Sequence, residues 1–514
     1  MFSKVKSCAV HGVDGRMIDV EADVNDGLPV FTMVGYLSSS VRESSERVRT
    51  ALKNSGFHLP PKRITINLSP ADMRKDGSGY DLAIATAVLL SLGVTAELPM
   101  EQTLVLGELS LDGSIKAIPG VLPMVICARE EGMTSCIVPK ENVQEAALVQ
   151  GISVIGVSSL KETMEYIQGI KEYENTNVEQ PAVDTSEYLY DIDFSDVVGQ
   201  ESIKRGMEIA AAGFHNVLLT GAAGAGKSML AKRLPTILPQ MSFEESLEVT
   251  KIYSVGGMLP PEGGLIHRRP FRAPHHTISE YALIGGGRVP TPGEVSFAHY
   301  GVLFLDELPE FSKPVLEVLR QPLEDRRIRI SRVQASYEFP ADFMFVAAMN
   351  PCPCGNYPDY RRCSCTEQQI RRYQSKVSGP LLDRIDIRME VKGVKQEALF
   401  SKQKTESSKT IRARVEQARQ MQKERFAGTG LLFNSQLDGK NLEEYITLSA
   451  EGKRLVLQLF EEQELSVRGV HRVLKLARTI ADLAGSEEIE NAHLQEAAFY
   501  RNQDVFAKEV LYGN

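Results

Sequence analysis

The feature that most constrains the fold of this 514-residue chain is the octapeptide GAAGAGKS, residues 221–228. It fits the pattern G-x-x-x-x-G-K-[ST]; the apolar string NVLLT before it predicts a short buried strand, and SMLAKRL at its end predicts a helix. Glycines in such a strand–loop–helix unit let backbone N–H groups face phosphate oxygens, and the helix amino terminus adds positive charge. The string therefore predicts a nucleoside triphosphate site in an α/β fold.

Every residue of this loop is a candidate contact for the triphosphate: Gly221, Ala222, Ala223, Gly224, Ala225, Gly226, Lys227 and Ser228. We expect Lys227 to reach the β- and γ-phosphates and the Ser228 hydroxyl to ligate Mg²⁺. A second string, GVLFLDE, predicts a buried strand that ends in Asp306 and Glu307. Asp306 is predicted to hold the metal through water, and Glu307 to polarise the attacking water. Strands that end in two acids are common, so this string is informative only beside the first.

The sequence argues against a secreted or membrane-spanning protein. The first residues, MFSKVKSCAVHG, lack the apolar core of a signal peptide, and the longest apolar-rich run, residues 80–94, is too short for a bilayer. We therefore expect a cytoplasmic protein that does not associate with membranes. Seven cysteines, an odd number, favour reduced or metal-bound thiols. The net charge of −9 argues against general attraction to nucleic acid, although local basic clusters remain possible binding sites.

The pattern of apolar residues divides the chain into four segments. Residues 1–170 predict a mixed α/β block, with strands at 63–69 and 103–111 and an apolar central helix between them. Residues 171–190 are polar and acidic and predict a linker. Residues 191–390 predict a second α/β block that carries every nucleotide motif. Residues 391–514 predict helices, because apolar residues recur there at three- and four-residue spacing.

The second block carries long strings besides GAAGAGKS, among them RPFRAPHHTISEYALIGGG, PGEVSFAHYGVLFLDELPEF, AAMNPCPCG and SGPLLDRID. They resemble the magnesium-chelatase-like branch of the AAA+ ATPases, and the whole chain resembles the ComM (YifB) family. The resemblance implies a P-loop core with a doubly wound parallel sheet and a C-terminal helical lid. It also implies a homo-oligomeric ring, usually a hexamer, with ATP at the subunit boundaries.

The resemblance also implies roles for residues outside the two nucleotide strings. Asn350, at the end of the string FMFVAAMN, matches the polar residue that orients the attacking water. Arg384 resembles the arginine finger that reaches into the neighbouring subunit, where a cation offsets charge on the γ-phosphate. Arg468 resembles the lid arginine that senses the γ-phosphate, and Arg472, one helical turn further, is its competitor. For each arginine the alternative is a surface salt bridge.

Two basic clusters are candidate contacts for DNA. The first, in residues 267–288, comprises Arg268, Arg269, Arg272 and Arg288 with His267, His275 and His276. The second, LEDRRIRISRVQAS at 323–336, alternates like a strand and predicts a hairpin whose polar face carries Arg327, Arg329 and Arg332. Arginine rows lining a ring pore would grip phosphates of single-stranded or branched DNA. The alternative is that these arginines pair with acids on the next subunit.

Three functions follow from these expectations. The leading one is an ATP-driven DNA motor, a helicase or branch-migration enzyme. The second is a chelatase-type remodeller that acts on a partner protein. The third, a protease, arises because strings such as KDGSGYDLAIATAVL resemble the Lon protease domain; it is disfavoured, since Gly79 occupies the nucleophile position, Ser78 comes one residue early and the helix at 120–129 has no lysine. We expect a Lon-like domain without the Ser–Lys dyad, used for assembly or DNA binding.

Four cysteines lie close together in CPCGNYPDYRRCSC: Cys352, Cys354, Cys363 and Cys365. Four thiolates within fourteen residues can enclose one Zn²⁺ tetrahedrally, and the Gly, Pro and Asn between them allow the turns this requires. The spacing is C-x-C twice, whereas C-x-x-C is more usual. We expect a structural zinc; the alternatives are reduced thiols or a redox pair.

Overall fold

The computed structural model describes residues 1–172, 190–260, 264–332, 335–359, 361–393, 405–463 and 465–501. The strands are β1 (Phe2–His11), β2 (Asp14–Asn25), β3 (Phe31–Val34), β4 (Arg63–Ser69), β5 (Thr103–Val105), β6 (Glu108–Leu109), β7 (Ile115–Lys116), β8 (Ser135–Pro139), β9 (Ser153–Val157), β10 (Val217–Thr220), β11 (Phe271–Arg272), β12 (Gly285–Gly286), β13 (Thr291–Pro292), β14 (Val302–Leu305), β15 (Arg327–Ser331), β16 (Ser336–Pro340), β17 (Met344–Met349) and β18 (Ile387–Glu390).

The α-helices are α1 (Ser39–Asn54), α2 (Asp81–Ser91), α3 (Val121–Glu130), α4 (Val143–Ala146), α5 (Leu160–Ile167), α6 (Glu201–Gly213), α7 (Lys227–Arg233), α8 (Phe243–Val255), α9 (Glu280–Ile284), α10 (Glu294–Phe297), α11 (Lys313–Glu317), α12 (Arg320–Asp325), α13 (Glu367–Gln374), α14 (Gly379–Leu382), α15 (Ser408–Arg425), α16 (Gly439–Tyr445), α17 (Ala450–Glu462), α18 (Val467–Leu483) and α19 (Asn491–Arg501). Within the described ranges, no helix is both long and apolar enough to cross a membrane.

The N-terminal block is built on a seven-stranded mixed sheet in the order β3-β4-β2-β1-β5-β8-β9. The long antiparallel pair β1–β2 is continued on one side by parallel strands β5, β8 and β9. Helix α2 is buried along almost its whole length, as its run of apolar residues predicts. The predicted strand at 103–111 is instead two strands, because Gly107 adopts φ +155° and breaks the ladder after β5.

The second block is built on five parallel strands in the order β11-β14-β17-β10-β18. Alternation along β10 places Val217 and Leu219 in the core on one face of the sheet and Leu218 in the core on the other. Because both faces are covered, this is the doubly wound parallel sheet that the sequence predicts. The carboxyl ends of β10 and β17 lie side by side, so the residues that follow these strands meet at one edge of the sheet.

The C-terminal helices share a hydrophobic core with the second block. Helix α15 and helix α18 both pack on α6, and α19 packs on α18 and β18. The helices predicted within residues 391–514 include α15 and α18. The linker predicted for 171–190 lies almost wholly outside the described residues, as do the last residues of the predicted lid.

The N-terminal block docks on the second block through α8 and the hairpin β15–β16. Helix α3 packs on α8, where the Ser254 hydroxyl donates to the buried Glu145 carboxylate. The His11 ring stacks on Tyr337 of β16, with ring centroids 4.5 Å apart. The hairpin of the second block therefore contacts the N-terminal block directly.

Candidate nucleotide-binding site

The GAAGAGKS loop joins β10 to α7 at the carboxyl edge of the parallel sheet. Gly226 precedes the helix with φ +96°, a left-handed conformation that favours glycine. At Gly221 a Cβ atom would lie 2.2 Å from the Val391 carbonyl oxygen, so no side chain fits. These two positions explain why the loop needs glycine at residues 221 and 226.

The Lys227 ammonium lies at the centre of the loop. It donates to the carbonyl oxygens of Gly221 and Ala222, at 2.7 and 2.9 Å, and to Asn350 Oδ1 at 3.0 Å. Burial lowers the pKa of Lys227, and the charges of Asp306 and Glu307 oppose that shift. The bond to Asn350, which directly follows β17, brings the loop lysine and the predicted water-orienting residue to one point.

Ser228 and Asp306 form the second part of the site. The Ser228 hydroxyl donates to Asp306 Oδ2 at 2.5 Å, and Asp306 Oδ1 accepts the backbone N–H of Glu307 at 3.0 Å. A hydroxyl and a carboxylate in contact are a donor set that suits Mg²⁺. Together with the glycine-rich loop and Lys227, these residues fit a magnesium-bound triphosphate.

Glu307 presents its carboxylate to solvent at the end of β14. Its backbone is left-handed, with φ +53°, which is uncommon for a residue other than glycine and marks a constrained position. The carboxylate lies 3.8 Å from His276 Nδ1 and is 59% exposed. The sequence assigned His276 to a basic cluster; the structure places it beside the predicted general base.

Arg384 lies at the opposite edge of the sheet from the loop. It comes before β18, and its backbone carbonyl accepts from Asn216 Nδ2, at 2.9 Å, just before β10. Because β10 and β18 run parallel over four residues, about 13 Å of sheet separates this edge from the loop. The guanidinium forms an ion pair with Glu324 and is buried. Arg384 is therefore placed away from the nucleotide loop of its own chain.

Arg468 lines the same cavity as Arg384, a space of about 230 Å³ between the lid and the amino edge of the sheet. Arg472, its competitor, pairs with Asp386 at 3.2 Å. Arg468 makes no hydrogen bond or ion pair to the described residues, whereas Arg472 has a partner. Of the two, Arg468 is the arginine whose charge is available to a ligand.

Known proteins match this chain over nearly its full length. Models described as magnesium chelatase subunit ChlI match residues 193–399, subunit ChlI of Mg-chelatase residues 20–142, and the C-terminal part of subunit ChlI residues 405–501. The competence protein ComM of Haemophilus influenzae is 40% identical over 503 residues, 97% of each chain. The YifB protein of Escherichia coli is 41% identical over 504 residues, 98% of this chain and 97% of its own.

The chain belongs to the magnesium-chelatase-like ComM/YifB family. Membership implies use of ATP and Mg²⁺, which the loop, Ser228 and Asp306 fit. A shorter match, to Lon protease 2 of Bacillus subtilis, is 30% identical over 183 residues, 32% of each chain. The mixed α/β core, the parallel sheet and the helical C-terminal region agree with the predicted fold class.

The four cysteines that the ComM/YifB chain carries after Asn350 converge in space. Their sulfur atoms all lie within 4.8 Å of one another, and the three pairs among Cys352, Cys354 and Cys363 are 3.4, 3.6 and 3.8 Å apart. Four sulfurs about 2.3 Å from a central zinc would be about 3.8 Å apart, so the donor set fits a tetrahedral ion. The loop also approaches the nucleotide site, because a Cβ at Gly355 would lie 3.4 Å from the Ala223 backbone nitrogen.

In the first basic cluster, Arg269 and Arg272 both form ion pairs within the chain. Arg269 is buried, pairs with Glu245 at 3.1 Å, and donates to backbone carbonyl oxygens of residues 239 and 300. Arg272 pairs with Glu294 through two hydrogen bonds of 2.6 Å. Their partners lie more than twenty residues away in sequence, which is why the local pattern suggested free cations. In this conformation the Arg269 guanidinium is therefore buried and already paired. Arg268 stacks over the Tyr190 ring, 5.4 Å from its centroid.

The second basic cluster forms the predicted hairpin, β15 paired with β16. Arg327 and Arg329 share its exposed face but both bind Glu338 of the opposite strand, at 2.7 and 3.0 Å. Arg332 lies beyond the end of β15, and its guanidinium donates to the Gly287 carbonyl at 2.9 Å. The predicted row of three arginines is therefore not continuous. Arg327 and Arg329 share the charge of Glu338, and Arg332 lies outside the strand.

In the Lon-like block, Ser78 and the nearby Lys75 are both hydrogen-bonded to neighbouring groups. The Ser78 hydroxyl donates to Glu108, and the Lys75 ammonium donates to the carbonyl oxygens of Pro70 and Met73. Of the remaining cysteines, Cys8 and Cys136 are buried, whereas Cys127 is half-buried and lines a cavity of about 700 Å³.

Sequence reasoning missed two neighbours of the predicted site residues. Glu324 pairs with Arg384, and His276 approaches Glu307. The first pair is 60 positions apart in sequence and the second is 31, so no local spacing could reveal either contact. For His276, the only signal was its position just after a short strand of the nucleotide-binding sheet.

Proposed function

We propose that this protein is an ATP-driven ring motor, expected to be a hexamer, that acts on single-stranded or branched DNA. The proposal rests on one observation: Lys227, Ser228, Asp306 and Asn350 meet at the carboxyl edge of the sheet, whereas Arg384 lies at the amino edge. Each chain therefore has the phosphate- and metal-binding residues at one edge of the sheet and the candidate arginine finger at the other. A ring, in which each subunit faces the next head to tail, brings these parts together.

Hydrolysis is assigned to the residues of the carboxyl edge. The loop amides and Lys227 bind the β- and γ-phosphates, and Ser228 with Asp306 holds Mg²⁺. Bound Mg²⁺ supplies neutralisation of the phosphate charge. Glu307 takes a proton from the attacking water, and Asn350, fixed by Lys227, orients that water.

The amino edge supplies cations to the neighbouring subunit. Arg384 leaves Glu324 and reaches the γ-phosphate of the next chain, where it offsets the charge that builds up during hydrolysis. Arg468 lines the same cavity and acts from the same side. Exchange of the Glu324 partner for a phosphate couples nucleotide state to the contact between subunits.

DNA is the favoured substrate because exposed arginines occur on the hairpin and beside it. Arg327 and Arg329 are about half exposed and outnumber their acid, Glu338. Arg288 and Arg332 line the cavity between the hairpin and the N-terminal block. The similarity to a competence protein supports the same choice. Internal pairing of Arg269 and Arg272 favours the alternative, a chelatase-type remodeller of a partner protein.

We also propose that the four-cysteine cluster binds a structural Zn²⁺. The sulfur separations match a tetrahedral site, and four ligands leave no open position for water. The ion would brace the segment that links Asn350 to α13.

The deciding experiment is the rate of ATP hydrolysis with and without forked or four-way DNA over a salt series. A DNA motor is expected to be stimulated at low salt and to lose stimulation steeply as salt rises, because phosphate contacts release counterions. Hydrolysis that ignores every DNA at every salt concentration would support the remodeller instead. Lys227→Ala, which removes the phosphate-binding ammonium, is the control for contaminating ATPases.

A further inference from the structure

Two cysteines of the N-terminal block, far apart in sequence, meet where helix α3 rests on the sheet. Cys8 lies on β1 and is buried, and Cys127 lies on α3 and is half-buried. Gly15 of β2 adjoins both: a Cβ there would lie 2.6 Å from Cys127 Cβ and 3.1 Å from Cys8 Sγ. Because Gly15 has no side chain, the helix approaches the sheet closely and the two thiols become neighbours.

The two thiols differ in acidity. A hydrogen bond with the Cys8 thiol lowers the pKa of Cys127, although burial and the charges of Glu131 and Glu130 act in the opposite direction. The same contact, together with burial, raises the pKa of Cys8. Cys127 is therefore the thiol of this pair that ionises, and Cys8 is the protonated neighbour that stabilises its thiolate.

The two thiols also differ in access. Cys127 lines the cavity of about 700 Å³ between the N-terminal block and the hairpin, a size that admits a small molecule. By contrast, Cys136 on β8 is fully buried, and burial raises its pKa to about 12. A partly exposed thiolate with a second thiol beside it is the arrangement found in cysteines that oxidise reversibly.

We propose that Cys127 and Cys8 form a reversible dithiol–disulfide pair that reacts with hydrogen peroxide entering this cavity. The Cys127 thiolate attacks one peroxide oxygen, so that an S–O bond forms, the O–O bond breaks and hydroxide leaves. The Cys8 sulfur then attacks the Cys127 sulfenic acid: the S–S bond forms, the S–O bond breaks, and the hydroxyl leaves as water with the Cys8 proton. The two sulfurs lose two electrons, which reduce one peroxide, and a dithiol reductant reverses the change by exchange.

The disulfide would join the two elements of the N-terminal block that face the second block. Helix α3 packs on α8, and His11 at the end of β1 stacks on Tyr337 of the hairpin. Oxidation would therefore fix the relative position of the two contacts through which the blocks dock.

The test treats the full-length protein with hydrogen peroxide, alkylates the remaining thiols and maps the peptides by mass spectrometry. We expect the peptides that carry Cys8 and Cys127 to be recovered joined, and to separate after reduction. In Cys8→Ser the second thiol is missing, so we expect excess peroxide to carry Cys127 on to the sulfinic acid. Cys136→Ser is the matched control and is expected to form the same cross-link as the parent.

Alkylation of the untreated protein gives an independent measurement. We expect iodoacetamide at neutral pH to label Cys127 at least about tenfold faster than Cys136, because the thiolate is the nucleophile. Recovery of Cys8 and Cys127 on separate peptides after peroxide treatment would overturn the proposal. Labelling of Cys127 no faster than that of Cys136 would also overturn it, because Cys127 would then lack the thiolate that attacks the peroxide.

Discussion

At the scale of single residues, Lys227 joins two sequence segments, the glycine-rich loop and the end of β17, in one site. Its ammonium bonds the loop carbonyls of residues 221 and 222 and the side chain of Asn350, 123 positions later. The loop and the acidic pair could be predicted from sequence because each is a local string with known chemistry. The approach of His276 to Glu307 could not, because it depends on where β11 ends relative to β14.

Replacing Glu307 by Gln is expected to separate ATP binding from hydrolysis. The amide cannot accept the proton of the attacking water, while the loop, Lys227 and Ser228 are untouched. We expect kcat to fall about 10²- to 10⁴-fold with little change in ATP affinity. Turnover assays combined with binding of a fluorescent ATP analogue measure both, and Glu310→Gln, a nearby acid that pairs with Lys376, is the control. Hydrolysis at the parent rate in Glu307→Gln would refute the assignment.

Asp386 is expected to make folding sensitive to acid. Burial would raise the pKa of Asp386, but His215 and Arg472 outweigh it and hold the pKa well below its usual range. A carboxylate with a depressed pKa stabilises the fold above its unfolded pKa of about 4 and loses that contribution as pH falls. Asp386→Asn is therefore expected to lower Tm most above about pH 5, with the difference from the parent shrinking toward pH 3.

Thermal unfolding at several pH values measures this effect, with the more exposed Asp383→Asn as a matched control. Removing one member of a buried charge cluster costs on the order of 3 kcal/mol, so the loss at neutral pH should be large. A Tm difference that does not vary between pH 3 and pH 7 would show that Asp386 is neutral in the folded protein.

At the scale of elements, the hairpin β15–β16 illustrates what a pattern predicts and what it misses. Alternation of arginine and isoleucine predicted the strand, and the buried Ile328 with exposed Arg327 and Arg329 follows that alternation. The sequence did not show that Glu338 would lie opposite Arg329 in the ladder. Register across a hairpin depends on its turn, so the charge balance of this face emerges only from the fold.

Neutralising that acid provides a test of the DNA-binding face. Glu338→Gln frees Arg327 and Arg329 from their shared partner, and we expect DNA affinity at low salt to rise about three- to tenfold. Fluorescence anisotropy over a salt series measures the affinity and its salt dependence. Glu443→Gln makes the same change in charge on the exposed lid helix α16 and is expected to have little effect. Equal affinities for all three proteins would show that the hairpin does not contact DNA.

The cysteine loop between β17 and α13 is expected to hold one zinc ion per chain. Cys363→Ser removes one of the four ligands and should release the metal, because a tetrahedral thiolate site requires all four. Metal analysis of the purified parent and variant measures the loss. Cys127→Ser, outside the cluster, should keep full occupancy. A parent protein that contains no zinc and unfolds identically with and without a chelator would contradict the assignment.

At the scale of the whole molecule, the strand order brings the nucleotide-site residues together, and the docking of the two blocks places the hairpin against the N-terminal block. The family resemblance implied a doubly wound parallel sheet, and the order β14-β17-β10 with parallel pairing confirms that sheet. Docking of the N-terminal block on α8 and the hairpin was not predictable, because contacts such as His11 with Tyr337 join residues far apart in sequence. The hairpin consequently contacts the Lon-like block.

The central claim also concerns the whole molecule: we propose that each ATP site is completed by the neighbouring subunit. The most direct measurement is the ATPase rate of Lys227→Ala mixed with Arg384→Ala, each inactive alone. In a head-to-tail ring, roughly one boundary in four of an equal mixture joins an intact loop to an intact arginine, so activity should return. Lys227→Ala mixed with Glu307→Gln, two defects of the same edge, should stay inactive. A Lys227→Ala and Arg384→Ala mixture that also stays inactive, although the subunits exchange, would contradict the account.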